Sequence, residues 1–350
     1  MKKRWHILLL IALLLVGYGV FVFAWYSGGR QSPEQTLPSE TSDPAAVTTT
    51  TPTTTAPAPE TTAEPTTEPT TEPATEPTTE PPLMPPDETR LSTGTAFVYD
   101  LSREKMLYTR GDQNQQLAPA SLTKLLTALM ALEYLDPETI VTAGEEAGWV
   151  AEGSSVAAIY PGNQLTAEKL LQGMLMQSGN DAAYVLAVAI GKEISGSPDA
   201  TSQDAYQIFL EAVGEKCQEL GLTGSCFINP DGYDREGHYS TPADLLTLAR
   251  LAVRESLICK YTSCYRELVT FESGQEYIWL NTNLLLNPES PYYSPEAIGL
   301  KTGSTSNAGY CLISAFERDG RILLIGVMNC PSHTARFEDV LYLYNHFIEQ

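Results

Sequence analysis

Residues 31–88 hold 14 of the chain's 24 prolines, together with 18 threonines, 11 acidic residues and no Lys or Arg. Such a stretch has almost no apolar side chains to bury. Nothing offsets the entropy cost of ordering it, so it is expected to stay unfolded. The full length of 350 residues would ordinarily suggest two domains. With the tract set aside, one large folded domain at residues 89–350 is expected instead. The charge divides in the same way. Residues 1–30 carry +4 (Lys2, Lys3, Arg4, Arg30), the tract carries −11, and residues 89–350 carry the remaining −15 of the total −22. An acidic domain without basic clusters argues against nucleic-acid binding, because phosphate neutralisation needs Lys and Arg. Composition also excludes a collagen, a coiled coil and a multi-span transporter.

The chain opens with Met1-Lys2-Lys3-Arg4, followed at residues 5–26 by an uncharged, mostly apolar run of 22 residues. At about 1.5 Å per residue, this run can cross a hydrocarbon core of about 30 Å. Its basic flank predicts a cytoplasmic N-terminus, so residues 1–30 read as a tip and a single-pass membrane anchor with the folded domain outside the cell. A cleaved signal peptide is the competing reading, since Val22-Phe23-Ala24 is a passable cleavage site. The length of the run favours the anchor, and either reading exports the domain. The four-residue repeat from Glu64-Pro65-Thr66-Thr67 to Glu80-Pro81 favours extended polyproline II, so the tract reads as a stalk reaching on the order of 100–180 Å. A Thr- and Pro-rich stalk is also open to O-glycosylation.

From Thr93 onward the pattern is globular. Residues 95–99 and 105–108 read as strands joined by a turn at 100–104. Residues 121–135 carry apolar side chains at 122, 125, 126, 129 and 132, a helical spacing with Pro119 just upstream. Two apolar helices at 166–176 and 181–190 flank Gln177-Ser178-Gly179-Asn180. Amphipathic helices are expected at 202–220 and 241–253, the second with Ser240, Thr241 and Asp244 at capping positions. Strands follow at 298–301, 310–317 and 321–328, with a tight hairpin at Arg318-Asp319-Gly320, and a last helix at 333–348. Strands at both ends with helices between predict an α+β fold.

Three motifs carry chemistry. Ser121-Leu122-Thr123-Lys124 opens a helix, where three-residue spacing puts the hydroxyl and the amine on one face. Free N–H groups at a helix start suit a developing oxyanion. Serine needs a base, and a lysine can serve if a buried, cation-rich site lowers its pKa. Ser-x-x-Lys alone is common on helix surfaces, but here the lysine interrupts an apolar stripe. Ser178-Gly179-Asn180 lies in the break between two apolar helices; the plain reading is a loop with Asn180 as N-cap. Lys301-Thr302-Gly303 ends an apolar strand, and its plain reading is an edge and a turn. The three in this order are far more specific than any one of them.

This order resembles the signature of the penicillin-recognising serine enzymes. Within that group the chain is similar to the D-alanyl-D-alanine carboxypeptidases, the low-molecular-weight penicillin-binding proteins. The similar passages include Leu117-Ala118-Pro119-Ala120 before Ser121, Asn229-Pro230-Asp231-Gly232, His238-Tyr239-Ser240-Thr241, Asn281-Thr282-Asn283-Leu284-Leu285 and Ser304-Thr305 after the last motif. They run from about Gly94 to the C-terminus. The resemblance implies a serine β-lactamase/D-Ala-D-Ala carboxypeptidase-like fold, with an antiparallel sheet of N- and C-terminal strands packed with helices plus an all-helical subdomain. It implies an enzyme that removes the terminal D-alanine from peptidoglycan stem peptides, is inhibited by β-lactams, and needs no metal or cofactor. Ser121 would be the nucleophile, Lys124 its base and Ser178 a proton relay to the leaving group. Asn180 would hold the substrate amide and Lys124. Lys301 would supply positive potential, Thr302 would bond the terminal carboxylate, and Gly303 and Ser304 complete the binding strand. The N–H groups of Ser121 and Ser304 would form the oxyanion hole. The chain ends without the β-rich second domain and C-terminal amphipathic helix of many such enzymes, so the N-terminal anchor would replace that tether.

Other readings remain on the same residues. A β-lactamase would generally need a Glu-positioned water, and no Glu-x-x-Leu-Asn segment lies between Asn180 and Lys301. An endopeptidase would attack the same kind of D-Ala carbonyl, and a non-catalytic wall-binding protein would have a vestigial site, although every motif residue is intact. All six cysteines lie between Cys217 and Cys330. Disulfides, with Cys217–Cys226, Cys259–Cys264 and Cys311–Cys330 favoured by proximity, and buried thiols fit equally well. No C-x-x-C motif suggests zinc. His238 reads as a structural loop residue and His333 as a helix cap, which leaves little for a Ser-His-Asp triad.

Overall fold

A computed structural model of the chain describes residues 83–350. The expected anchor and signal sequence, and the tract up to residue 82, lie outside the described residues. Within them no helix is long and apolar enough to cross a membrane, and no group of three or more His, Cys, Asp or Glu is placed to hold a metal ion.

Strand β1 (Thr95–Asp100) is buried along its whole length, because it is covered on both faces. Its alternate side chains go to different cores: Phe97 and Tyr99 join the larger one, while Ala96 and Val98 join the smaller. The period of two in a strand requires this separation. β1 pairs with β2 (Lys105–Arg110) and with β9 (Arg321–Cys330). β9 pairs with β8 (Gly309–Arg318), and β8 with β7 (Ala297–Thr305), giving a five-stranded antiparallel sheet in the order β2-β1-β9-β8-β7. Asp319 and Gly320 both have positive φ in the β8–β9 turn, as a two-residue hairpin of this hand requires.

The helices between the two groups of strands are α1 (Lys124–Tyr134), α2 (Ala167–Met176), α3 (Asn180–Ser195), α4 (Ser202–Glu219), α5 (Pro242–Ala252) and α6 (Ser256–Thr262). They build the larger core against one face of the sheet. The last helix, α7 (Ala335–Phe347), covers the other face with Phe337, Val340, Leu343, Tyr344 and Phe347. Thr166 and Thr241 cap α2 and α5, accepting N–H bonds from Lys169 and Asp244, and the cap at Thr241 is the one expected from the sequence.

Several expectations are corrected. The helical region is not all-helical: β3 (Ile140–Thr142) pairs with β4 (Gln164–Thr166), and β5 (Arg266–Thr270) pairs with β6 (Glu276–Leu280). The folded unit also starts before residue 89. The Met84 and Asp87 N–H groups bond Gln350 and the Tyr342 hydroxyl, and Asp339 accepts from Ser92 and Thr93. Composition places Met84 and Asp87 in the stalk, yet Tyr342, His346 and Gln350 near the C-terminus give their backbone partners. His333 caps nothing; its ring packs edge-on against Tyr310 and Phe337, while Ser332 accepts the Ala335 N–H at 3.1 Å. All six cysteines are free thiols, the thiol reading of the two that the sequence left open.

Candidate active site

A short 3-10 helix, Ala120–Thr123, leads into α1 and sets Ser121 directly before the helix. Ala120 has a φ of +49°, a left-handed conformation that costs a non-glycine residue on the order of 1–2 kcal/mol. The neighbouring loop holds it there. A Cβ at Gly232 (φ +82°) would lie 1.8 Å from the Ala120 carbonyl oxygen, so only glycine lets residues 229–232 press so closely on the turn.

Lys124 is completely buried. Its Nζ donates to Ser121 Oγ at 2.8 Å, to Asn180 Oδ1 at 2.7 Å and to the Asp231 carbonyl at 2.7 Å. Three acceptors satisfy the three protons of an ammonium group. Burial lowers its pKa from the usual lysine range to about 8, against the opposing pull of the Asp231 and Asp181 carboxylates. A neutral Lys124 amine 2.8 Å from a serine hydroxyl can take that hydroxyl's proton.

Asn180 is the first residue of α3, and the N-cap is Gly179. The plain capping role for Asn180 is therefore wrong; its side chain turns to Lys124 instead. Ser178 sits just before, at a φ of +56°, with its hydroxyl unbonded to any described residue. The strand bearing Lys301-Thr302-Gly303 does not end there but runs on to Thr305. A Cβ at Gly303 would come within 3.0 Å of Ala120 Cβ and 3.1 Å of the Ser121 nitrogen, so glycine lets β7 pass beside the nucleophilic turn. Lys301 is buried and donates to the Thr302 carbonyl at 3.0 Å. Burial, then the nearby Lys124 and Arg336 charges, hold its pKa well below the usual range.

Ser121, Asn180, Asp231 and Ser304 line an open cleft of about 300 Å³ whose outer rim includes Glu152 and Asp234. Lys124, Ser178, Lys301, Thr302 and Gly303 are buried. Of the eight residues expected from the sequence, Ser121, Asn180 and Ser304 line this cleft, Lys124 bonds the first two and Gly303 lies against Ser121.

Sequence reasoning missed four residues that hold the site. Asp181 accepts the Ala157, Ile159 and Ala182 N–H groups at 2.8–2.9 Å and so fixes the rim segment 151–159 over the cleft. Asp234 accepts from Thr305 Oγ1 at 2.6 Å and from the Asn307 N–H at 2.9 Å, tying the loop after Gly232 to the end of β7. Arg336 is buried behind β7, where it donates to the Gly303 carbonyl at 3.1 Å. Burial lowers its pKa to about 10. Thr282 lies 2.6 Å from Thr302, hydroxyl to hydroxyl. Asp181 directly follows the Ser178-Gly179-Asn180 motif and Thr282 lies in the similar passage Asn281–Leu285; Asp234 and Arg336 lie outside every such passage.

His238 does not pair with Ser121. Its Nδ1 accepts the Ile228 N–H at 3.1 Å, which leaves Nε2 to donate to Thr123 Oγ1 at 3.0 Å. Burial pushes its pKa down to about 4. The ring is a neutral brace for the turn before α1, and no Ser-His pair forms.

The sequence pattern that describes D-alanyl-D-alanine carboxypeptidases matches residues 80–332. Similar proteins include D-alanyl-D-alanine carboxypeptidases of Bacillus subtilis (33% identical, over 67% of this chain and 56% of the relative), a Streptomyces strain (31%, 69% and 81%) and Mycobacterium tuberculosis (34%, 67% and 74%). The chain therefore spans little more than half the length of the Bacillus relative. Among solved structures, a Streptomyces DD-transpeptidase superposes with a TM-score of 0.67 at 28% identity, covering 74% of this chain and 98% of that one. An ampicillin-bound penicillin-binding protein of Listeria monocytogenes does so with a TM-score of 0.59 at 25% identity, over 74% and 98%.

Proposed function

Since the chain belongs to the D-alanyl-D-alanine carboxypeptidase family, we propose that it is a serine D-Ala-D-Ala carboxypeptidase acting on peptidoglycan stem peptides through an acyl-enzyme on Ser121. The observation that carries this reading is the fully buried Lys124 amine, 2.8 Å from the Ser121 hydroxyl and depressed to a pKa of about 8.

Lys124 in its neutral form takes the Ser121 proton as Oγ attacks the penultimate D-Ala carbonyl. The oxyanion develops beside the Ser121 N–H, with Ser304 contributing its N–H from β7. The unbonded Ser178 hydroxyl relays the proton that Lys124 has taken to the departing D-alanine nitrogen, which leaves Lys124 neutral and Ser178 protonated, and Asn180 keeps Lys124 in place while bonding the substrate amide. The terminal carboxylate is held by Thr302 beside Lys301. An anion arriving there favours the charged form of Lys301 and reverses its depressed pKa. Water then attacks the ester carbonyl as neutral Lys124 takes its proton, and Lys124 passes that proton to Ser121 Oγ as the shortened peptide leaves. β-Lactams acylate the same serine.

The remaining proposals concern location: an N-terminal single-pass helix anchors the protein in the cell membrane, and the stalk carries the domain toward the wall. The likeness to a DD-transpeptidase favours a second outcome for the same acyl-enzyme, transfer to an amine in place of water. The test is D-alanine release from a peptide ending in D-Ala-D-Ala, with and without an added amine acceptor, alongside intact mass after penicillin. A folded preparation that gains no penicilloyl mass on Ser121 and releases no D-alanine would sink the reading.

A further inference from the structure

Thr282 is remote from the three motifs, yet it bridges the end of α2 and strand β7. It follows β6, and its neighbours hold it rigidly. Asn281 Nδ2 donates to the Tyr261, Thr262 and Cys264 carbonyls at 3.1–3.3 Å, and Asn281 Oδ1 accepts the Asn283 N–H at 2.9 Å. The Thr282 N–H bonds the Met176 carbonyl at 3.2 Å, at the end of α2 and two residues before Ser178. Its hydroxyl lies 2.6 Å from the Thr302 hydroxyl, and neither oxygen has another partner among the described residues.

The direction of this hydrogen bond is decided by what Thr302 does. A hydroxyl has one proton and two lone pairs, and a carboxylate only accepts. If Thr302 gives its proton to the substrate carboxylate, as in the function proposed above, the 2.6 Å bond must be donated by Thr282. Two hydroxyls then point in series at the anion, each polarising the next, which shortens and strengthens the charge-assisted bond. Without Thr282, the Thr302 hydroxyl is free to rotate and the ordering cost falls on binding.

We propose that Thr282 is the positioning residue of the carboxylate subsite: it fixes the Thr302 rotor so that its proton faces the terminal carboxylate of the substrate, without touching substrate itself. The inference rests on the carboxypeptidase reading for the role of Thr302. Its effect is confined to ligands that carry a negative charge at that end, which a purely structural role would not produce.

The experiment compares wild type, T282V and T282S in the full chain. One substrate pair is a peptide ending in D-Ala-D-Ala and the same peptide as its C-terminal amide. A second pair is benzylpenicillin and its methyl ester, read as the rate of Ser121 acylation. T282V keeps the side-chain shape and removes the donor; it should lower kcat/KM for the free acid about tenfold, mainly through KM. It should leave the amide unchanged relative to wild type, and T282S should restore the acid to within about twofold. The same acid-selective loss is expected with benzylpenicillin. Equal losses on the charged and uncharged ligands, or no loss on either, would overturn the proposal. The penicillin pair reads Thr282 whether or not the peptide is hydrolysed, so a failed carboxypeptidase reading is recognised separately, as wild type that acylates but releases no D-alanine. Should T282V melt at a lower temperature, T282A supplies the same comparison with the methyl groups removed.

Discussion

The acylation rate of Ser121 should depend steeply on pH, because its base is a lysine whose charged form has been taken out of water. An ordinary lysine titrates near 10.5, so only about one in three thousand is neutral at pH 7. Lys124 is fully buried with a pKa of about 8, and a group with that pKa is about one-tenth neutral at pH 7. The site therefore gains on the order of 300-fold in competent base at neutral pH from burial. The sign follows directly: burial favours the neutral amine, and the neutral amine is the active form. The second-order rate of acylation by a fluorescent penicillin, measured by rapid quench, should rise about tenfold from pH 6 to pH 7 and level off above about pH 8. The opposing carboxylates give an internal check. Asp231 and Asp181 both raise the Lys124 pKa, so an Asp231→Asn variant should move the midpoint to lower pH and increase the rate at pH 6 relative to wild type. A rate that is flat between pH 6 and 9, or one that keeps rising to pH 10, would refute the assignment of Lys124 as a depressed base.

Three other outcomes test the surrounding architecture. Gly232→Ala forces a Cβ to 1.8 Å from the Ala120 carbonyl at a φ of +82°; it should cost about 3 kcal/mol, seen as a drop in Tm of roughly 6–12 °C, and unchanged melting would contradict the packing. Asp181→Asn replaces a carboxylate that accepts the Ala157, Ile159 and Ala182 N–H groups; amide exchange at Ala157 and Ile159 should speed up with a loss of about 2 kcal/mol, while unaltered protection would mean the rim is held by other contacts. Six free thiols should give six alkylations by intact mass after denaturation without reductant; fewer would indicate disulfides in the isolated protein.

The order of the motifs at 121–124, 178–180 and 301–303 could be read along the chain, because each brings a rare combination of a nucleophile, amine or amide into an apolar setting. The capping of α5 and the turn at Asp319-Gly320 were equally legible, since caps and turns depend on residues within a few positions of one another. The unfolded tract was expected from its lack of buriable side chains, but its edge was misplaced. Residues 84–88 share the composition of the tract, and nothing local shows that Tyr342, His346 and Gln350, more than 250 positions away, supply partners for their backbone. The hairpin of β5 and β6 was missed for a related reason. Only Val269 and Trp279 of its strands are buried, so the alternation is too sparse to register. The sequence by itself determined the chemistry available, which is two serines, two lysines, an asparagine and a threonine with their positions along the chain. Only the tertiary structure decided that Lys124 is dry enough to act as a base, that Asn180 serves the lysine rather than a helix end, and that Thr282 meets Thr302. These depend on burial and on contacts between segments tens to hundreds of residues apart, and no local pattern encodes how deeply a side chain is withdrawn from water.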